Sequence, residues 1–200
     1  MATRKAELRQ SRQQSRERIV AAATELIRHT SYGALTVDDV MREAGAGRTI
    51  FYRHFDDLAD LLRRAGRDAF EGLLEAEGEL RTAKLAGQSD IVRAAIEPAV
   101  AVYQRHGPLL RAITEAAATG DEQIAAGQAA MLERFDDLVA DVLRASPRHA
   151  DRPSGEIVET ARALNLLNVN YLLDAFGREP RVSTETAVRT LTAMWAAVIG

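Results

Sequence analysis

The chain has 200 residues, of which 46% are hydrophobic but only 5% are aromatic, and it contains no cysteine. A chain of this length can bury a full hydrophobic core, and the lack of cysteine excludes disulfides, thiolate metal sites and a cysteine nucleophile. The net charge of −3 is unevenly distributed: residues 1–64 carry 12 basic and 9 acidic side chains, giving +3, whereas the rest carries 14 and 20, giving −6. A basic amino-terminal third suits a phosphate-rich partner, although basic tails are more often simply solvated.

The sequence contains no apolar run of the roughly 20 residues that a membrane span requires. Its basic start is not followed by an apolar segment, so it does not resemble a signal peptide. We therefore expect a cytoplasmic protein that has no membrane partner.

Apolar residues at helical spacing predict an all-α fold of about nine helices, three small ones followed by a larger bundle. The predicted helices cover residues 16–31, 37–44, 48–54, 58–80, 89–105, 108–118, 121–145, 156–176 and 183–199. Gly45 is expected to end the second helix in a left-handed conformation, and Pro98 to kink or break the fifth. Residues 81–90 are the most linker-like segment, and residues 146–155 are predicted to form a loop.

The most informative segment runs from Thr36 to Phe55 and reads TVDDVMREAGAGRTIFYRHF. Thr36 is a suitable N-cap, and Asp38 and Asp39 lie in the first turn, where the helix dipole favours carboxylates. A glycine turn then leads into a second short helix. Two short helices joined in this way are typical of the helix-turn-helix, which places its second helix in the DNA major groove.

The second of these helices has two faces when its residues are spaced at about 100°. One face carries two cations, a hydroxyl and a phenol, from Arg48, Thr49, Tyr52 and Arg53, and the other carries the rings of Phe51, His54 and Phe55. Because arginine can donate two parallel hydrogen bonds to guanine, Arg48 and Arg53 are candidates for base reading. Thr36, Thr49 and Tyr52 are candidates for phosphate contacts.

Other candidate contacts lie around this helix. Arg12, Arg16 and Arg18 of the basic arm could reach phosphate, Ile50 either contacts a thymine methyl or packs, and His54 either contacts phosphate or packs. A surface stripe of arginine and tyrosine is, taken alone, more often a solvated face. The cap, glycine turn, polar face and basic arm occur together, however, and this combination favours DNA binding.

Residues 16–62 resemble the DNA-binding domain of TetR-family transcriptional regulators, in the order helix, T-V-x-D-V, A-G turn, F-Y-R-H-F and capped helix. The resemblance implies a homodimer whose recognition helices enter successive major grooves of a palindromic double-stranded DNA operator. It also implies a carboxy-terminal bundle that binds a small molecule and thereby releases the DNA. We expect a DNA-binding domain at 1–57 and an effector-binding and dimerisation domain at 58–200.

The sequence departs from the family pattern at three positions. Gly47 stands where a capping side chain commonly opens the recognition helix, and Ile50 replaces a small or polar residue. Leu58 stands where a lysine often contacts phosphate, a contact that Arg63, Arg64 or the arm could replace.

The predicted helix 156–176 is apolar nearly all round and contains asparagines, whose buried amides need hydrogen-bond partners. The simpler interpretation is that these amides form hydrogen bonds to another helix or to another subunit. The sequence ALNLLNVNYLLDAF, followed by LTAMWAAVIG, is however similar to the EthR-like subgroup of the family. This similarity implies a pocket for a small apolar or amphipathic effector formed with Asn165, Asn168 and Trp195. Further candidates from the central helices and the same face are Ile96, Tyr103, Ile113, Met131, Phe135 and Leu172.

The last two helices are the expected dimer surface, in which two helices from each subunit form a four-helix interface. Its candidate residues are Leu166, Val169, Leu173, Val188, Leu191 and Met194.

Rival functions have weaker support. The sequence shows no metal-ligand spacing, phosphate-binding glycine loop or histidine near a nucleophile, so no metal, cofactor or enzymatic activity is expected. The carboxylate pairs Asp38–Asp39 and Asp56–Asp57 are better interpreted as helix starts than as acid–base groups. An activator, or a regulator without any effector, is the alternative to a ligand-released repressor.

Overall fold

A computed structural model of the chain describes residues 2–85 and 91–199, with side chains for residues 10–84 and 91–199. Over these residues the protein contains nine α-helices and no strand, which confirms the predicted all-α class. The helices are α1 (Ala2–Leu26), α2 (Val37–Glu43), α3 (Arg48–Phe51), α4 (Leu58–Ala65), α5 (Arg67–Leu85), α6 (Ile91–Ala118), α7 (Glu122–Ala145), α8 (Ser154–Gly177) and α9 (Thr184–Ile199). Short 3₁₀ turns occupy Tyr32–Ala34 and Pro147–His149.

The number of helices agrees with the prediction, but the chain is divided into helices differently at two places. The helix predicted over 58–80 is divided into α4 and α5 at Gly66, a residue with poor helix propensity. A Cβ at Gly66 would lie 2.6 Å from the Ile113 Cδ1 atom, so α6 packs directly against this joint. Conversely, the helices predicted over 89–105 and 108–118 form the single helix α6, which includes Pro98 and Pro108. The predicted start at Ser89 lies outside the described residues.

The amino-terminal helix is also longer than predicted. It covers the segment expected to be a basic arm, because residues 2–15 consist largely of good helix formers, and it ends at Leu26 rather than at residue 31. The linker-like segment 81–90 is in part helical, since residues 81–85 belong to α5, and residues 86–90 lie outside the described part of the chain.

Buried apolar side chains form two clusters, and α6 contributes to both. The bundle cluster, formed mainly by α5 to α9, includes Phe176 and Trp195. The headpiece cluster packs Phe51 and Phe55 against α1, α2 and α4, and against α6 residues such as Ile113. A shift of α6 relative to one cluster would therefore also change its packing in the other cluster.

None of the helices described for this chain combines the length and the apolar character that crossing a lipid bilayer requires.

Candidate DNA interface and effector cavity

The start of α2 and the turn that follows it have the predicted geometry. The Thr36 hydroxyl accepts a hydrogen bond from the Asp39 amide at 3.1 Å and donates one to the Asp39 carboxylate at 2.5 Å. This bond to Thr36 holds the pKa of Asp39 below its ordinary value. Gly45 has φ of 62°, and the Ala46 amide reaches back to the Met41 carbonyl at 3.0 Å. The chain therefore reverses sharply into α3.

The recognition helix α3 is shorter than the predicted 48–54. It ends at Phe51 and continues as a tight turn in which the His54 amide donates to the Phe51 carbonyl at 2.8 Å. Gly47 provides no side-chain cap. The predicted separation of faces is confirmed, because Phe51 and Phe55 are buried in the headpiece cluster whereas Tyr52 is 50% exposed.

On the exposed face, Arg48 is held by two neighbours. Its Nη2 atom donates to the Tyr52 hydroxyl at 3.1 Å, and its Nη1 atom donates to the Asp38 carboxylate at 3.2 Å. The guanidinium also lies 5.7 Å from the centre of the Tyr52 ring. The hydrogen bond to Tyr52 and the charge of Asp38 raise the pKa of Arg48. Sequence spacing did not reveal the link to Asp38, because these residues belong to different helices.

The other predicted DNA-contact residues lie around this face. Thr49 and Arg53 are exposed, and Ile50 is half-buried beside a groove lined by Ser15, Arg18 and Ala21 of α1.

His54 is half-buried near α1. Burial, followed by the charges of Arg12, Arg16 and Arg53, lowers its pKa below the ordinary value of 6.5. A neutral imidazole at pH 7 follows from this shift. Arg16 is itself half-buried on α1.

Replacement of the missing lysine at Leu58 by Arg63 or Arg64 is not favoured by the structure. Arg64 pairs with Asp60 at 2.9 Å, and Arg63 lies 3.7 Å from Asp60 and 3.2 Å from Asp121. Both guanidinium groups are therefore held by carboxylates within the chain.

The bundle contains a small apolar cavity of about 70 Å³ between α5, α6, α7 and α8. Its walls are formed by Leu73, Ala99, Tyr103, Met131, Leu132, Phe135, Asn165, Asn168, Val169 and Leu172. Tyr103 is 7% exposed, and burial raises its pKa, so the phenol keeps its proton. Its hydroxyl has no hydrogen-bond partner among the described residues.

Both asparagines of the cavity bond to other helices of the same chain. The Asn165 Nδ2 atom donates to Asp136 of α7 at 2.7 Å, and Trp195 Nε1 of α9 donates to the Asn168 Oδ1 atom at 2.9 Å. A carboxylate only accepts and an indole only donates, so both amide orientations are fixed. The cavity is left with the Asn165 Oδ1 acceptor and the Asn168 Nδ2 donor.

The structure does not place all predicted effector and dimer residues as expected. Ile113 lies in the headpiece cluster against Gly66, far along α6 from the cavity residues. Ile96 and Trp195 are buried in the bundle cluster and are not among the residues that line the cavity, although Trp195 bonds to the lining residue Asn168. Sequence spacing alone could not separate the two ends of α6.

Two residues predicted for the dimer surface face inward instead. Val169 lines the cavity, and Leu191 is fully buried with Ala187 and Trp195 on the inner stripe of α9. Leu166 and Met194 are 41% and 43% exposed, and Leu173 and Val188 are half-buried. On α9 the exposed side carries Arg189, Ala193 and Ala197 together with the predicted Met194.

A buried arginine, which sequence reasoning missed, joins the bundle to the headpiece. Arg111 of α6 donates to the Gly177 carbonyl at the end of α8 at 3.0 Å and to the Ile27 carbonyl after α1 at 2.7 Å. It also pairs with Glu115 at 2.6 Å, and Glu115 accepts from the Tyr32 amide at 2.7 Å. The last turn of α8 is thus connected to the headpiece through one side chain.

Two short helices joined by a tight turn, with an outward cationic face and a helical bundle behind them, are the arrangement of a helix-turn-helix DNA-binding regulator. Two family models match the chain: the bacterial regulatory proteins of the tetR family over residues 19–65, and the C-terminal domain of the transcriptional regulator EthR over residues 92–200. The second match spans more than half of the chain. The protein belongs to the TetR family of transcriptional regulators, with a carboxy-terminal domain of the EthR type.

The chain is also similar to individual proteins, to one in sequence and to two in fold. The HTH-type transcriptional regulator EthR of Mycolicibacterium smegmatis is 25% identical over 186 residues, which span 88% of this chain and 82% of that protein. NalD, the secondary repressor of the MexAB-OprM multidrug efflux pump in Pseudomonas aeruginosa, shares the fold with a TM-score of 0.63 and 19% identity, over 92% of this chain and 95% of its own. PfmR, a TetR-family regulator of Thermus thermophilus, has a TM-score of 0.63 and 18% identity over the same shares.

Proposed function

We propose that this protein is a cytoplasmic repressor that binds a palindromic operator as a homodimer and is released by a small, largely apolar effector. Residues 1–57 act as the DNA-binding domain, and residues 58–200 bind the effector and form the dimer. The outward set of Arg48, Tyr52 and Arg53 on a buried phenylalanine anchor is the observation that carries the proposal. NalD, which has the same fold, is itself described as a repressor.

The recognition helix provides two kinds of contact. Arg48 and Arg53 bond to base edges, and Thr36, Thr49 and Tyr52 bond to phosphate, as do Arg16 and His54 beside them. Ile50 provides an apolar contact for a thymine methyl at the edge of the groove. The opposite face of the helix, which carries Phe51, stays packed in the headpiece cluster, so these contacts form without refolding of the headpiece.

Replacing Arg48 by alanine is expected to weaken operator binding by about tenfold to a hundredfold, because a guanine loses its bidentate partner. Fluorescence anisotropy measures this with an operator duplex selected from genomic fragments by the wild-type protein. A duplex of shuffled sequence is the control, and the variant should lose much less affinity for it. Equal loss on both duplexes would contradict base reading, and a stoichiometry of one chain per palindrome would contradict the homodimer.

The surface of α8 and α9 supports the homodimer. Leu166 of α8 and Met194 of α9 are large, apolar and more than two-fifths exposed, and they are the apolar side chains that a second copy would cover. Small exposed residues beside them, Ala163, Ala193 and Ala197, permit close helix approach. A dimer formed through this surface reads neighbouring major grooves if its two recognition helices lie about 34 Å apart.

The size of the cavity determines how an effector would act on the protein. A volume of about 70 Å³ is far below the roughly 300–1,000 Å³ of typical small-molecule sites. An effector can therefore enter only if the helices around the cavity move apart. Such a ligand binds the expanded state better than the compact one, which is the condition for shifting the equilibrium between them. A ligand-released repressor needs this coupling between binding and expansion, and the binding experiment described below decides between it and a regulator without an effector.

The polar groups of the cavity indicate which polar group the effector carries. The Asn168 Nδ2 donor and the Asn165 Oδ1 acceptor are three residues apart on one face of α8, and the surrounding walls are apolar. A secondary amide has the complementary pair, since its carbonyl accepts and its N–H donates. The effector is accordingly an apolar molecule with one such group.

An N-alkyl amide should raise the melting temperature of the protein and release it from the operator, because it binds only the folded, expanded state. The ester of equal length lacks the N–H donor and should bind about threefold to tenfold more weakly. Thermal shift followed by anisotropy with bound operator measures both effects. Equal binding of the amide and the ester would contradict the requirement for an N–H donor on the effector. Binding without release of the DNA would favour the alternative of a ligand-independent regulator.

When an effector expands the cavity, the displacement of α8 is transmitted to the headpiece by two routes. Arg111 connects the end of α8 to the segment after α1, and α6 connects the cavity residue Tyr103 to Ile113 at the joint between α4 and α5. Expansion of the cavity therefore changes the position of the headpiece and the separation of the two recognition helices in the dimer.

A further inference from the structure

We propose that Asp38 of α2 determines base specificity by fixing the orientation of the Arg48 guanidinium. The proposal rests on the proposed base reading by Arg48. Asp38 itself is not assigned a contact with DNA; it acts through the arginine as a positioning residue.

The geometry leaves the guanidinium both fixed and available. The Arg48 Nη1 atom lies 3.3 and 3.2 Å from the two Asp38 carboxylate oxygens, and its Nη2 atom lies 3.1 Å from the Tyr52 hydroxyl. A guanidinium has five N–H donors. These contacts involve both terminal nitrogens, and they leave the Nε–H donor and one Nη2 N–H donor, on the same planar group, for guanine.

The pair is poorly explained as a stabilising ion pair. Both side chains are 59% exposed, and exposed pairs contribute little to folding stability. Its effect on DNA binding is larger, because an unrestrained arginine can turn to the nearest phosphate and neutralise it without reading a base. A fixed fork loses less conformational freedom when it meets guanine.

The carboxylate also acts against non-specific binding. Asp38 lies in the first turn of α2, at the end of the helix-turn-helix where phosphate contacts by Thr36 are proposed. Its negative charge repels phosphates on any sequence, and this repulsion is offset only where Arg48 gains its bonds to guanine. Removal of the charge should therefore strengthen binding to arbitrary DNA while weakening binding to the operator.

The test compares Asp38→Asn, Arg48→Ala and the double variant with the wild-type full chain. Glu43→Gln is the matched control, since it removes one exposed carboxylate from the same helix and Glu43 has no partner among the described residues. Each protein selects duplexes from a random-sequence pool, and anisotropy then measures affinity for the wild-type selection and for its shuffled version over a range of salt concentrations. Circular dichroism melting checks that each variant is folded.

For Asp38→Asn we expect the ratio of operator to shuffled affinity to fall by about tenfold. The salt dependence should become steeper by about 0.9 in log–log slope, because the released Arg48 gains a phosphate contact. The selected sequences should lose the same guanine that Arg48→Ala loses, and the double variant should be no worse than Arg48→Ala alone.

Three results would overturn the inference. If Asp38→Asn keeps the ratio as Glu43→Gln does, while Arg48→Ala loses it, Asp38 has no role in specificity and base reading by Arg48 stands. If Asp38→Asn loses preference at a different base, Asp38 contacts that base directly. If Arg48→Ala also keeps the ratio, or the wild type selects no sequence, the proposed base reading fails with it.

Discussion

Replacing Arg111 by methionine should lower the free energy of unfolding by about 3–5 kcal/mol, the usual result of removing one partner from a buried ion pair. Arg111 is only 8% exposed, and its side chain donates to the Ile27 and Gly177 carbonyls as well as to Glu115. Methionine fills much of the volume but leaves the Ile27 and Gly177 carbonyls without this donor in a site that little water can reach. It also removes the closest cation from Glu115, which keeps only the bond from the Tyr32 amide and the distant Arg178. Urea denaturation followed by circular dichroism measures the change through the midpoint concentration.

Arg178→Ala is the matched control for this variant. Arg178 approaches the same Glu115 carboxylate at 3.9 Å, but its side chain is 71% exposed. Because an exposed pair of this kind contributes about 0–1 kcal/mol, its loss should barely move the midpoint. If the two variants cost the same, burial is not what makes Arg111 important. If Arg111→Met also leaves the midpoint unchanged, the buried arginine is dispensable as a connection between the bundle and the headpiece.

Features that depend on a few neighbouring residues could be predicted from the sequence. Thr36 and Asp57 were expected as caps, and each accepts a bond from the amide three residues later. Gly45 was expected to adopt positive φ, and it does. The two faces of the recognition helix followed from helical spacing alone. In each case the determining groups lie within one or two turns, so tertiary contacts had little to override.

Features that depend on distant residues were missed. Pro98 and Pro108 do not break α6, because this helix is packed between α5, α7, α8 and α9 and the lost amide bonds are outweighed by that packing. Leu191 was assigned to the dimer surface because a single helix gives no indication of which apolar stripe faces its own chain. The link of Arg48 to Asp38 joins two helices whose relative placement no local pattern specifies.

The cavity includes one feature that the sequence could predict and one that it could not. Asn165, Asn168 and Leu172 share a face of α8 as their spacing predicts, and the structure places them in one wall with Tyr103 of α6 and Phe135 of α7. The sequence could not show that both amides are bonded within the chain. The helices that supply Asp136 and Trp195 are neighbours of α8 only in the folded protein.

Gly107→Ala should destabilise the protein by about 3 kcal/mol, at the upper end of the range for overpacking. Gly107 is buried where α6 crosses the end of α8, and a Cβ there would lie 2.3 Å from the Phe176 carbonyl oxygen. That oxygen belongs to the backbone of a helix, so it cannot rotate away as a side chain could. The two helices must separate beside Arg111, which bonds to the adjacent Gly177 carbonyl.

The same substitution at Gly78 should stabilise the protein instead of destabilising it. Gly78 is exposed within α5, and a Cβ there would meet nothing within 4 Å. Alanine at an exposed position inside a helix is favoured over glycine by about 1 kcal/mol, so Gly78→Ala should raise the urea midpoint while Gly107→Ala lowers it. Equal, small effects at both positions would mean that α6 and α8 are not in backbone contact. The route from the cavity to the headpiece through the end of α8 would then be lost, because it requires α8 to act directly on α6 at this crossing.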